Sequence, residues 1–228
     1  PSYNPDDGVL IGAGIIYKKQ KWNKTPYGWQ QTLGGTYSAS TGAYSIFYNG
    51  IFRQTFGKWD LDVSANYKAP SYVINFYGFG NDADLSVKEK AFYRIRATSL
   101  YFNPAVRRTW ESSTFKAGLV FNTYRVKPDI NKFLGQAVPG VDSSVYQTKY
   151  FAGVKVSYVL NTANNLKFPT RGIVLDAGSA YFVNTGESKQ DFVNLNASFT
   201  FYYKLFKKVT IAHRSGTATN IGDYEFYQ

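Results

Sequence analysis

The chain has 228 residues, with 26 Lys and Arg against 15 Asp and Glu for a formal net charge of +11, and it contains neither Cys nor Met. This excludes a disulfide framework, Cys-ligated zinc and a thiol nucleophile, and the single histidine, His213, leaves no His pair for a metal. With 4 Trp, 20 Tyr and 18 Phe the composition is too aromatic for a disordered coil, and the length suffices for one domain, 1–228, with a sizeable core.

The chain opens at Pro1 without a charged-then-apolar leader, so it reads as a processed or excised piece of a longer protein. No run approaches the roughly 18 consecutive apolar residues of a transmembrane helix. The longest charge-free span, Pro26 to Phe52, is full of Gln, Ser, Thr, Asn and Gly. A helical membrane protein is therefore excluded. A β-barrel is not, because its strands alternate and leave the mean hydropathy, here −0.32, unremarkable.

In chain order, a period of two recurs and predicts about ten strands, near 9–19, 27–40, 42–56, 58–69, 87–102, 107–125, 145–161, 171–183, 191–205 and 208–218. The clearest is the fourth, where Trp59, Leu61, Val63, Ala65 and Tyr67 alternate without exception with Lys58, Asp60, Asp62, Ser64, Asn66 and Lys68. Turn signals fall between strands at Ser40-Thr41-Gly42, Phe56-Gly57-Lys58, 75–84, Asn103-Pro104, 127–144, 161–172 and 184–189. Short connections imply an antiparallel up-and-down meander. Most of these strands exceed the five or six residues common in soluble sandwiches and match the length that crosses a bilayer at a tilt. Aromatics such as Trp22, Tyr27, Trp29, Phe56, Trp59, Phe102 and Trp110 fall near strand ends, as an interfacial girdle requires, although a soluble barrel or sandwich would use them as core.

Chemistry-bearing motifs are few. Asn4-Pro5-Asp6-Asp7-Gly8 has adjacent carboxylates but lacks the spaced further ligands of a calcium loop, and it reads as a turn. Gly78-Phe79-Gly80-Asn81-Asp82 is followed by no helix that could help cradle a phosphate. His213 lies on the apolar parity of its strand, and no serine-centred nucleophile motif accompanies it. No catalytic, cofactor-binding or metal residue is therefore assigned, and an enzyme is not expected. No nucleic-acid motif is present either. The alternating Lys88, Lys90, Arg94 and Arg96 are placed to line a lumen and favour anions, or to face lipopolysaccharide phosphates and solvent.

Phe168-Pro169-Thr170-Arg171-Gly172, leading into Ile173-Val174-Leu175-Asp176-Ala177-Gly178, resembles the Phe-Pro-Thr-x-Gly turn and following strand of the BamA-type outer-membrane surface-antigen superfamily. The order of the surrounding segments supports it, with Asn75-Phe76-Tyr77-Gly78-Phe79-Gly80-Asn81 earlier and Gly222-Asp223-Tyr224-Glu225-Phe226-Tyr227 at the end. The opening Tyr3-Asn4-Pro5-Asp6-Asp7-Gly8 is similar to the branch in which such a barrel follows a calcineurin-like phosphoesterase domain.

The resemblance implies a transmembrane antiparallel up-and-down β-barrel of sixteen strands in the bacterial outer membrane, about ten of them in this chain. It implies insertion or translocation of membrane proteins through a lateral seam. Expected partners are outer-membrane lipid and lipopolysaccharide, and client β-barrels or envelope complex subunits. The family's inward Arg-Gly-aromatic loop is absent from the chain, since Arg171-Gly172 precedes Ile173 and belongs to the turn. Gly12, Ala13 and Gly14, which would weaken packing in the first strand, mark it as one lip of the seam. Two alternatives stand beside this expectation: a membrane anchor for a separate phosphoesterase domain, and a small anion-preferring pore.

Overall fold

The computed structural model describes residues 1–78, 89–136, 138, 141, 143–186 and 190–225, without the side chains of 70–72 and 74. It is all-β. Eleven strands form one sheet in strict sequence order, each pair antiparallel. They are β1 Ser2–Asn4, β2 Gly8–Lys21, β3 Lys24–Ser38, β4 Tyr44–Phe56, β5 Trp59–Asn75, β6 Arg94–Thr109, β7 Ser113–Val126, β8 Lys149–Asn161, β9 Gly172–Asn184, β10 Asp191–Phe206 and β11 Val209–Gly222. The sheet does not close: β1 and β11 are its two edges.

The period of two decides which residues meet. On one face Leu61 lies between Phe52 and Val106, and Tyr67 between Ile46 and Leu100. On the other, Asp60 lies opposite Arg107, and Ser64 between Asn49 and Asn103. The burial of these faces is the reverse of a soluble core. The apolar parity is exposed, as at Leu33, Ile46, Leu100, Phe102, Leu119, Val154 and Phe199. The opposite parity is covered and carries buried Asp60, Asp62, Asn103 and Lys149 beside Val120, Phe151, Ala180, Phe182 and Phe192.

No second layer covers that face, so the sheet must curl over itself. Contacts that skip strands show the curl: the Phe151 ring on β8 meets Phe192 on β10 edge to face at 5.7 Å, and the Lys155 ammonium on β8 sits 5.9 Å above the Tyr101 ring on β6. Asp6, in the turn between β1 and β2, pairs with Arg94 on β6.

The two ends differ. At one end the connections are 22–23, 57–58, 110–112, 162–171 and 207–208, mostly tight hairpin turns. At the other they include 76–93 and 127–148. The 127–148 segment, with 3-10 turns at Phe133–Gly135 and Ser143–Tyr146, folds back so that Leu134 and Val145 pack on Phe76, Ile95, Ala97 and Val126.

Two sequence expectations need correction. The sheet has eleven strands because Ser2–Asn4 pairs with Gly8–Leu10 across the Asn4–Gly8 turn, in which the Asp6 N–H donates to Asn4 Oδ1 at 3.0 Å. The second concerns the fifth expected strand, placed at 87–102 with a turn at Asn103-Pro104. The chain instead makes a 3-10 turn at Lys90–Tyr93, starts β6 at Arg94 and runs straight through Asn103 and Pro104 to Thr109. A side chain supplies what proline lacks. Pro104 faces β7 at a hydrogen-bonding position, and the Asn103 amide donates to the Leu119 carbonyl at 2.5 Å in place of the missing N–H. Parts of the expected loops and of the start of the expected fifth strand, 79–88, 137, 139–140, 142 and 187–189, lie outside the described residues, as do 226–228.

Candidate functional site

Three places combine charge, shape and accessibility: the polar covered face, the mouth at the long-connection end, and the open sheet edges.

On the covered face, neighbouring strands bring opposite charges together. Asp60, the second residue of β5, accepts from Arg53 of β4 at 2.7 Å, Arg107 of β6 at 2.9 Å and the Gln54 N–H at 2.8 Å. Asp62, two residues on, meets Arg107 at 3.1 Å and Lys116 of β7 at 3.6 Å. Two carboxylates thus hold three cations from three strands, the two arginines within charge-assisted bonding distance and Lys116 as a looser ion pair. This network was not picked out from sequence, although opposite charges on facing parities of predicted neighbours were its signal. Deeper in, Ser64, Tyr101, Asn103, Lys116, Lys155 and Ser157 line a polar recess.

At the mouth, Arg94 pairs with Asp6, and Arg96 lies 3.8 Å from Asp7. Asp7 is fixed from the other side, its Oδ1 accepting from the Thr41 hydroxyl at 3.0 Å and its carbonyl from Ser38 Oγ at 2.5 Å. Arg94, Arg96, Lys127, Asp129, Lys132 and Tyr146 line a cavity of about 210 Å³. Tyr146 donates to the Leu134 carbonyl at 2.7 Å, and burial, reinforced by the Asp129 carboxylate, pushes its phenol above the usual range. Lys149, buried at the head of β8, pairs with Glu225 beyond β11.

The four basic residues expected along a lumen separate. Arg94 and Arg96 share parity with exposed Leu100 and Phe102, whereas Tyr101, Asn103 and Ala105 point to the covered side. They belong to the mouth because the β5–β6 hairpin crosses it: Ile95 and Ala97 face the 127–148 segment, and the arginines face the β1–β2 turn. Lys90 lies in the 3-10 turn and is exposed, and Lys88 lies outside the described residues.

At the first edge, β1 pairs only with Gly8–Leu10, so Ile11–Lys21 of β2 has no second strand partner among the described residues. Gly12, Ala13 and Gly14 lie here, opposite Thr36, Gly35 and Gly34 of β3. The wall is thin at this point, since four of these six residues carry no side chain. At the far edge β11 pairs with β10 along its length and has no outer partner among the described residues.

Phe168, Pro169, Thr170 and Arg171 lie in the β8–β9 connection, with Gly172 at its exit. Two asparagines build this loop. Asn164 Oδ1 accepts from the Thr170 and Arg171 N–H groups at 2.9 and 3.0 Å, and Asn165 Oδ1 from those of Lys167 and Phe168 at 2.8 and 2.9 Å. Gly172 has φ +112, and a Cβ there would stand 2.4 Å from the Thr162 carbonyl oxygen, so glycine is required. Leu166 and Phe168 are left 85% and 79% exposed at the tip. The motif therefore sits far along the sheet from the glycines of β2.

Among the described residues no group of three or more acidic, His or Cys side chains could hold a metal. His213 is exposed on β11, 2.6 Å from Ser215 Oγ, and has no carboxylate partner among the described residues. In comparisons with known proteins, no family model and no curated sequence matches this chain.

Proposed function

We propose that this chain is part of an outer-membrane β-barrel of BamA type that inserts or translocates membrane proteins through a lateral seam between its edge strands. The observation that carries the membrane part is the inverted burial: an apolar parity facing out along strands of 13 to 17 residues, over a polar parity facing in. In lipid the outward row is solvated by acyl chains and the inward charges are paired or wet. Two open edges could not remain bare in hydrocarbon, since every unpaired N–H and C=O there costs several kcal/mol.

The seam part follows from edge chemistry. An exposed strand offers a row of donors and acceptors to a client strand, which can add by pairing alone, with no nucleophile or cofactor. The glycine-rich stretch of β2 lowers the packing lost when that pairing opens.

This chain contains no cysteine, so an introduced thiol is unique once any cysteine elsewhere in the parent protein is replaced. Single cysteines at Ala13 on β2 and at Thr217 on β11, in the parent protein, are expected to cross-link to unfolded client barrels carrying a cysteine in their terminal strand. A cysteine at Val154, in the middle of the sheet, is not. Absence of edge-specific cross-links, together with normal levels of other barrels after depletion of the parent, would make the sheet an anchor.

A further inference from the structure

The net charge of +11 is not spread evenly over the two ends of the sheet. The short-connection end carries a base at nearly every turn: Lys21 before the β2–β3 turn, Lys58, Lys167 and Arg171, and Lys207 with Lys208. All six are exposed, and none enters an ion pair among the described residues. Glu111 is the one acid within these connections. At the opposite end acids offset bases, with Asp6, Asp7, Glu89 and Asp129 in the described connections beside Lys90, Lys127 and Lys132.

Aromatic type divides the same way. Trp22, Trp29, Trp59 and Trp110, which are all the tryptophans of the chain, lie in the half of the sheet nearer the short turns. The Arg108 guanidinium rests 5.7 Å from the Trp59 ring and 5.2 Å from the Trp110 ring, joining the basic and indole rows.

We infer that this rim docks on the phosphates of anionic glycerophospholipids, so that one end of the sheet is held in a phospholipid leaflet. The inference rests on the membrane placement proposed above. Charge complementarity carries it: unpaired ammonium groups on flexible stems reach phosphate oxygens while the adjoining indoles settle at headgroup depth. Short turns also characterise the periplasmic side of outer-membrane barrels, which favours a phospholipid over the lipid A of the outer leaflet.

The confinement of tryptophan to this rim supplies the readout, because quenching of intrinsic fluorescence reports the lipid beside it. The parent protein, with any tryptophan outside this chain replaced by phenylalanine, is reconstituted in bilayers of phosphatidylcholine containing a fixed fraction of dibrominated phosphatidylglycerol or dibrominated phosphatidylcholine. The expected result is an apparent preference for phosphatidylglycerol of at least about fivefold, reduced at about 0.5 M NaCl and in the variant Lys58→Gln, Lys207→Gln, Lys208→Gln. Equal quenching by the two lipids, or a preference unchanged in the triple variant, overturns the inference while leaving the membrane placement intact. Displacement by lipid A at lower concentration than phosphatidylglycerol overturns the choice of leaflet. Lack of quenching by either lipid removes the membrane placement itself.

Discussion

The side-chain amide of Asn103 donates to the backbone carbonyl of Leu119 across the β6–β7 ladder, at the rung where the next residue is Pro104 and has no N–H to give. The rung is of the hydrogen-bonding kind: the same register places the Lys127 N–H on the Arg96 carbonyl at 2.8 Å and the Trp110 N–H on that of Ser113 at 2.7 Å. A proline inside a central ladder is thereby tolerated. Asn103→Ala is expected to cost about 1–3 kcal/mol, the penalty of a covered carbonyl left without a donor. Pro104→Val in the same chain should recover most of it by restoring the N–H. Urea titrations of the two single variants and the double variant in lipid vesicles measure this, and additive losses would show that the amide is not the substitute.

Exposed Val154, midway along β8, faces the acyl chains in the proposed setting. Val154→Arg should then lower the folded fraction in bilayers by about 2–4 kcal/mol if the site lies near the midplane. On a solvent-facing surface the same change would be within about 0.5 kcal/mol. Gel-shift assays of folded against unfolded chain in vesicles separate the two.

Asp60 binds two guanidinium groups and a backbone N–H at once. Asp60→Asn keeps the shape but leaves Arg53 and Arg107 with a neutral partner, an expected loss on the order of 2 kcal/mol. Because the carboxylate is covered, the loss should change little with added salt, unlike that of a surface pair. Unfolding at low and high ionic strength checks this.

The β8–β9 loop presents Lys167 and Arg171 to solvent while Asn164 and Asn165 pin their backbone. Asn164→Ala should speed tryptic cleavage at Arg171 without altering the strands. Gly172→Ala should cost about 1–3 kcal/mol through the strained φ and the close Thr162 carbonyl. Timed digestion followed by mass spectrometry distinguishes the two effects.

How much of this was legible in the sequence follows from the range of each interaction. β5 was readable because an unbroken alternation from Lys58 to Lys68 fixes both strand and faces locally. β6 was misplaced because Asn-Pro is a turn signal on its own, and only the carbonyl of Leu119, on the next strand, shows why it is not one here. The facing of Arg94 and Arg96 was lost for a related reason: their partners lie in a turn 88 residues earlier for Arg94, and parity alone does not reveal that the hairpin crosses the mouth. The Phe168–Gly172 turn was visible as a motif, but the asparagines that shape it gave no periodic signal. The outward apolar parity and the two unpaired edges were legible, because alternation and a strand count short of a closed barrel imply them, whereas which residues sit at those edges needed the assembled sheet.

Strict sequence order in the sheet has a kinetic meaning. Each strand finds its partner across the next connection, so pairing can proceed hairpin by hairpin, without the large loop-closure cost of a crossover. Any contiguous run of strands is a smaller sheet of the same kind, able to wait with an edge open until its neighbour arrives. The mouth pairs are the exception. Asp6 with Arg94 and Lys149 with Glu225 join residues 88 and 76 positions apart, and they can form only after the intervening strands have curled into place. These pairs therefore latch a structure whose growth has already finished, and removing them should speed unfolding more than it slows folding.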